Sequence, residues 1–250
     1  MENSTMMLVL LGGLAALLVG ASKGGLPLVG VLGVPILTLV MPPVAAAALL
    51  LPIFIVSDAA GLWYYRKSYD RRNLLVLVPA AAVGIAIGWA TAHITSPAAV
   101  TILVGLIGLG HTVNAFVGRG RQDKKAADVP RGLFWGALAG FASFVSHSGG
   151  PPFQIYTLPQ RMEKLVFAGT STIFFAILNI LKIAPYWALG QFNPGNLAYA
   201  AALSPIAVGG AYLGYRATRW LPEKFFFRLV EAVLFLLSLK LIHDGLQGLP

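Results

Sequence analysis

Ten apolar runs follow one another along the chain, many close to the roughly 20 residues that a helix needs to cross a bilayer core. They lie near 5–20, 26–41, 44–65, 73–92, 98–117, 132–145, 151–159, 166–189, 197–215 and 225–242. A soluble domain cannot hide that many in one core. A membrane barrel would instead show short strands of alternating hydrophobicity. The runs predict an all-α integral membrane protein, a polytopic helical bundle. Only 11% of the residues are charged, against about a quarter in an ordinary soluble domain. Residues Thr5 to Val19 resemble the core of a signal peptide, but Met1 to Ser4 carry Glu2 and no Lys or Arg. The segment is therefore expected to belong to the fold.

The net charge of +9 would in a soluble protein point to nucleic acid. Here the basic residues sit in short loops between apolar runs, where the positive-inside rule accounts for them. The expected surroundings are membrane lipid, with no nucleic-acid partner. The absence of cysteine excludes disulfides, thiolate metal sites and iron–sulfur clusters. No metal site and no cofactor is expected.

A polar linker, GRGRQDKKAADVPR at 118–131, divides the chain into a first repeat at 1–117 and a second at 132–250. The order of long and short runs recurs across it. So do residues: Pro79, Gly84, Gly88 and Trp89 match Pro205, Gly210, Gly214 and Tyr215 at one constant offset, and Gly24, Gly25 and Pro27 match Gly149, Gly150 and Pro152. Both matches in register with the runs indicate an internal duplication.

Charge gives the sense of the repeat. RKSYDRR at 66–72 carries four basic residues and belongs on the cytoplasmic side, whereas HITSP at 93–97 has neither Lys nor Arg and belongs outside. The second-half counterpart of 66–72 is LGQFNPGN at 189–196, which is uncharged, and the next loop, 215–224, is basic. Equivalent loops thus face opposite sides, the pattern of two inverted-topology repeats. The linker is expected in the cytoplasm and both termini outside, in the inner membrane of a bacterial cell.

Each repeat begins with a short helical hairpin broken by a Gly/Pro tip. Residues 132–158 start and end beside basic segments, so they enter the membrane and return; their arms are too short for two crossings. The tip is SHSGGPP. The mirrored hairpin at 5–41 has its tip at GASKGGLP and longer arms, able to cross fully when tilted or partly unwound. Non-helical backbone at membrane depth is tolerated where protein or a water-filled cavity satisfies it, and in inverted-repeat transporters such breaks mark the substrate site near the midplane. Glycines free each turn, and Pro27 or Pro151 opens the helix that follows. Exposed amides at such a helix start favour an anion.

The candidate binding residues are those of the tips: Ser22, Lys23, Gly24 and Gly25 in the first, and Ser146, His147, Ser148, Gly149, Gly150 and Gln154 in the second. A lysine at membrane depth is costly without a partner, so Lys23 is a functional pointer; the plainer reading has it snorkelling to the interface. His147 is either a ligand contact or a structurally held imidazole. The serines donate to oxyanion oxygens or satisfy the broken backbone. Asp58 and Asn179, in the helices after the hairpins, are coupling or cavity-lining candidates with Thr170 and Ser171. For Asp58 two readings stand, a proton carrier or the ion-pair partner of Lys23. The hydroxyls of Thr170, Ser171 and Thr172 line a cavity or bond back to their own helix.

No phosphate loop GxxxxGK[ST] and no HExxH occurs in the chain, which removes a built-in ATP motor and a zinc protease of that type. The adjacent Ser146 and His147 lack the geometry of nucleophile and base, and no enzyme activity is expected. With its duplicated halves, the break at Gly20, Gly24, Gly25, Leu26, Pro27 and Leu28, and its partner break at Ser146 to Pro152, the chain resembles the sulfite exporter TauE/SafE family along nearly its whole length. The resemblance implies secondary transport of small sulfur-containing anions, sulfite or organosulfonates such as sulfoacetate, outward by alternating access. An anion channel with the same lining and a cation-coupled transporter using Asp58 remain open on the residues alone.

Overall fold

The computed structural model describes residues 2–26, 29–41, 43–117, 125–188 and 194–248. Among these there is helix and no strand. The helices are α1 (Glu2–Lys23), α2 (Gly33–Leu37), α3 (Pro43–Tyr65), α4 (Arg71–Ala90), α5 (Pro97–Val117), α6 (Val129–Ser146), α7 (Gly150–Thr157), α8 (Lys164–Ala188), α9 (Pro194–Trp220) and α10 (Glu223–Gln247), with single 3-10 turns at Val29–Leu32 and Leu158–Gln160. Pro27, linker residues 118–124 and loop residues 189–193, on which parts of the repeat and orientation argument rest, lie outside the described residues.

Five segments are long and apolar enough to cross a membrane: Met6–Lys23, Arg71–Ala90, Pro97–Val117, Lys164–Ala188 and Leu197–Trp220, with Leu49–Tyr65 a shorter apolar stretch. Their outward faces carry Leu10, Leu75, Val83, Leu103 and Leu213, all more than half exposed. Such apolar exterior is what lipid, and not water, would cover. Trp63, Trp89, Trp187 and Trp220 stand exposed at the last turns of α3, α4, α8 and α9, where an interfacial aromatic belt places them. The protein is a multi-pass helical membrane protein.

Local chemistry sets several boundaries. Asp70 and Asp128 cap α4 and α6, accepting from the amides of Asn73 at 2.8 Å and Arg131 at 3.0 Å, one of the few ways to satisfy a helix's first donors. Prolines lie inside α3 (Pro52), α4 (Pro79), α8 (Pro185) and α9 (Pro205); membrane helices accept them more readily than soluble ones.

The chain divides into two compact units that do not coincide with its halves. Unit 1 comprises Met1–Tyr69 and Ala168–Pro222; unit 2 comprises Asp70–Phe167 and Glu223–Pro250. In unit 1, α1 runs parallel to α9 and α3 packs on α9. Gly20 and Gly24 of α1 lie against the backbone of Ala207 and Ala211, while Gly210 and Gly214 of α9 lie against Leu17 and Ala21. In unit 2, α6 runs parallel to α4 in the same manner. Gly140 lies on Ala81, Gly84 on Ala137, and Gly88 on Phe144. A Cβ at any of these glycines would strike its neighbour, so each makes a close approach that only a bare Cα allows. The matched pairs Gly84/Gly210 and Gly88/Gly214 do the same work in both units.

The second arms of the hairpins are both short. Residues 26–41 do not form one helix. They give the 3-10 turn Val29–Leu32 and the five-residue α2, about 16 Å of rise together, because Gly30 and Gly33 bring the chain directly onto Ser22 and Val19 of α1. The longer return arm expected for the first hairpin is thus corrected. In the second hairpin, α7 and its following 3-10 turn rise about 18 Å. That return is tied down where it ends: Tyr156 Oη donates to the Asp128 carbonyl at 3.0 Å, and the Lys125 amide to the Pro159 carbonyl at 3.0 Å.

The core of unit 1 gathers Ala15, Ala16, Val19, Leu37, Leu50 and Ile53 with Ala200 and Ala207. In unit 2, Phe167 stacks edge-on with Phe226 and Phe227 and lies 6.3 Å from Phe153. One polar clasp is buried there. Asn73 Nδ2 donates to Gln160 Oε1 at 2.8 Å and Gln160 Nε2 donates back to Asn73 Oδ1 at 3.1 Å.

Candidate functional site

The first break is a helix end closed on itself. The Gly25 amide donates to the Ser22 carbonyl and the Leu26 amide to the Ala21 carbonyl, both at 3.3 Å, the paired bonds of a Schellman turn. Gly25 takes φ +103°, which a residue with Cβ adopts only with strain. The remaining carbonyls are claimed by hydroxyls from three helices. Tyr65 Oη donates to Gly24 O at 2.7 Å, Thr218 Oγ1 to the same oxygen at 3.4 Å, and Thr172 Oγ1 to Lys23 O at 3.2 Å. Ser22 Oγ bonds back to Val19 O at 2.6 Å, the backbone-satisfying use of the two expected for it.

Lys23 turns inward. Its Nζ is 2.7 Å from Asp58 Oδ1 and 5.0 Å from the centre of the Phe54 ring, and Phe54 is the midpoint of α3. The lysine is 6% exposed and Asp58 3%, so the charge is held inside the protein and does not snorkel. Asn179 Nδ2 donates to Asp58 Oδ2 at 2.7 Å. Oδ1, by contrast, has the ammonium as counter-charge but no aligned hydrogen-bond donor. The structure thus brings Lys23, Asp58 and Asn179 together, with Asp58 as the ion-pair partner of Lys23, one of the two readings given for it. Thr170 and Ser171 are buried on α8 of the same unit.

A further charged residue is buried in this unit: Lys182 lies one helical turn beyond Asn179 on α8 and is 2% exposed. It is not among the residues singled out from the sequence. The signal was present: the apolar stretch IAPYWA continues after it, which puts it within α8 and not at its end.

The second break belongs to unit 2. Helix α6 runs to the last turn of α4 and ends at Ser146; His147 is left-handed at φ 53° and exposed. Residues 147–149 turn the chain back, so that Pro151 at the start of α7 stands beside Gly108, near the midpoint of α5. Ser146 Oγ donates to Ala142 O at 3.3 Å and lies 2.5 Å from Ser148 Oγ. Pro151 and Pro152 remove two of the first four amides of α7, which leaves the glycine amides of Gly149 and Gly150 as donors at that helix start. Open space adjoins them: a Cβ on Gly150 would meet nothing within 4 Å. Gln154, one turn on, is 3% exposed and its Oε1 has no protein partner.

The candidate residues therefore fall into two sets, one in each unit. Among the described residues no group of His and carboxylates suited to a metal ion occurs.

Compared with known proteins, residues 8–241 match the family model described as Sulfite exporter TauE/SafE. No curated protein and no solved structure matches.

Proposed function

The chain belongs to the sulfite exporter TauE/SafE family, a family of membrane transporters and not of enzymes, and we propose that it exports small sulfur-containing anions, sulfite or organosulfonates such as sulfoacetate, by alternating access. Lys23 carries this reading. An ammonium buried beside a broken helix end is costly even when paired with Asp58 at 2.7 Å, and an anionic substrate that competes with the carboxylate for it makes such a placement useful. Ser22, Gly24 and Gly25 shape the turn that presents it. The Gly149 and Gly150 amides, Ser146, Ser148 and His147 supply directed donors in the second break. Gln154 Oε1 accepts from a hydroxyl or protonated oxygen of the substrate.

The inverted repeat fits this role. Each unit pairs the hairpin of one half with the matching helix of the other, α1 with α9 and α6 with α4, so the halves exchange equivalent partners. In this reading the linker lies in the cytoplasm and the termini outside, which the charge of the basic loops supports. Export needs no obligatory co-ion, since an inside-negative potential favours exit of each negative charge by about 2.3 kcal/mol per 100 mV.

The test is binding of sulfite, sulfoacetate, taurine, sulfate and chloride to the purified protein. A sulfite or sulfonate should bind, and Lys23→Ala should weaken it at least tenfold, about 1.4 kcal/mol. Unchanged binding by the variant removes the tip site. Saturable counterflow in vesicles marks a carrier, and large unitary currents a channel. A second reading draws on the unaligned Oδ1 of Asp58, which suits a coupling cation or proton. Under it Asp58→Asn abolishes transport while Lys23→Ala leaves substrate affinity intact.

A further inference from the structure

Aromatic rings and basic side chains line the end of unit 1 where α3 and α9 finish. Trp63 is 65% exposed there and Trp220 82%, which marks this end as the level of the lipid headgroups. Between the two helices, Tyr64 stacks on Tyr215 with ring centres 4.9 Å apart and lies 6.4 Å from Tyr212. Two arginines sit over neighbouring rings. The Arg66 guanidinium is 4.1 Å from the centre of the Trp63 ring, and its Nη1 donates to the Trp63 carbonyl at 2.5 Å. The Arg216 guanidinium is 5.9 Å from the centre of the Tyr212 ring, and its Nη1 donates to Tyr212 Oη at 3.2 Å. Both arginines are exposed. A guanidinium has five N–H donors, so one held in this way by a single donor still offers a planar pair to a phosphate.

Helix ends alone do not account for the charge. C-termini favour cations wherever they occur, yet the matched end of α4 in unit 2 has Trp89 in place of Tyr215 and no Lys or Arg from 90 to 97. The ends of α3 and α9 carry Arg66, Lys67, Arg216 and Arg219. The positive-inside rule assigns such residues to one side of the membrane, but it does not hold guanidinium groups over rings. Toward the middle of α9 the face that bears Arg216 turns apolar. By helical spacing Ile206, Gly209, Leu213, Arg216 and Trp220 share it. Ile206 is 41% exposed and Leu213 57%, and a Cβ on Gly209 would meet nothing within 4 Å.

A soluble anion would meet only the guanidinium, whereas a molecule with an anionic head and an apolar tail fits the whole strip. We propose that this end of unit 1 binds an anionic glycerophospholipid: Arg216 holds the headgroup phosphate, an acyl chain lies along Leu213 and Ile206, and Arg66 supplies a second positive charge. The proposal does not depend on the anion-transport reading.

The test offers the purified full-length protein in detergent an equal mixture of phosphatidylglycerol and phosphatidylcholine with the same acyl chains. Native mass spectrometry then counts the lipids retained, and circular dichroism checks the fold of every variant. Wild type should retain phosphatidylglycerol over phosphatidylcholine by at least about fivefold. Arg66→Gln/Arg216→Gln should bring the two lipids to within about twofold of each other. Lys224→Gln/Arg228→Gln, which removes as much charge from exposed positions of unit 2, should keep the wild-type preference. Arg66→Lys/Arg216→Lys keeps the charge but loses the planar fork and its stacking, and should fall clearly below wild type. If the double glutamine variant does not fold, the single changes Arg66→Gln and Arg216→Gln decide the matter, each expected to lose part of the preference. Equal retention of the two lipids by wild type overturns the proposal. So does an equal loss from the unit 2 variant, or a lysine variant indistinguishable from wild type, since either reduces the effect to overall charge. Displacement of the lipid by excess inorganic phosphate overturns it as well, because the site then takes the phosphate group without the chain.

Discussion

The buried charge group makes an energetic prediction that does not depend on transport. Removing one member of a buried ion pair usually costs about 3–5 kcal/mol, because the other charge is left in low dielectric, whereas replacing both by apolar or neutral groups is often close to neutral. Here the two single changes should differ. Asp58→Asn leaves the buried Lys23 with no carboxylate, so its cost should lie in that full range of about 3–5 kcal/mol. Lys23→Met leaves Asp58 bonded to Asn179 at 2.7 Å. A hydrogen bond to a charged group is worth about 1.5–3 kcal/mol, so Lys23→Met should cost less than Asp58→Asn by an amount of that order. The double variant should be more stable than Asp58→Asn alone, since the stranded ammonium is gone. Unfolding in mixed micelles with increasing dodecyl sulfate, followed by far-ultraviolet circular dichroism, gives the three differences and the coupling. Additivity of the two changes to within about 0.5 kcal/mol would refute the reasoning.

Three other outcomes follow from packing, each read in the same unfolding assay. Gly209 and Gly210 are neighbours on α9 with opposite surroundings: a Cβ on Gly209 meets nothing within 4 Å, and one on Gly210 strikes the Leu17 carbonyl. Gly209→Ala should be neutral or stabilising by up to about 1 kcal/mol, and Gly210→Ala destabilising by about 1–3 kcal/mol; equal effects would contradict the close contact of α1 with α9. Gln160→Leu should cost about 1–3 kcal/mol by stranding the Asn73 amide, and adding Asn73→Leu should recover part of it. Asp128→Ala should cost about 0.5–2 kcal/mol through loss of the α6 cap, while Asp128→Asn should be close to wild type.

Most of the helical framework was legible because apolar length is a strong signal in a membrane chain. The runs at 73–92, 98–117 and 166–189 correspond to α4, α5 and α8 within a few residues. The run at 26–41 misled because its apolar length outweighed Pro27, Gly30, Gly33 and Pro35 within it, and the close approach of Gly30 and Gly33 to α1 is a tertiary contact. The run at 225–242 became the longer α10, which with Glu223, Lys224, Arg228, Glu231, Lys240 and Asp244 is not among the helices apolar enough to cross by composition. In the site, the polar residues themselves stood out against oily surroundings, and the pairing of Lys23 with Asp58 was one of two readings that the sequence left open. That Lys23 would fold back along α3 to Asp58 depends on how α1 docks beside α3, which spacing alone does not give. The exchange of helices between halves was invisible for the same reason, although the glycines that carry it were already conspicuous as matched pairs.

That exchange also fixes a timetable for assembly. The glycine face of α1 has its mate in α9, roughly 190 residues later in the chain, and at about 5–20 residues per second of synthesis α1 waits on the order of 10–40 s for it. For most of that interval Lys23 and Asp58 are already made while Asn179, which bonds to Asp58, is not. The first-half helices must therefore persist in the bilayer as separate spans with a charge pair half enclosed, and unit 1 closes only when the ribosome has nearly finished. A chain cut short before α9 would present its bare glycine stripe and its ion pair to lipid and to quality-control proteases, whereas unit 2, which needs only α10 to be complete, already has α4 and α6 in hand by mid-synthesis.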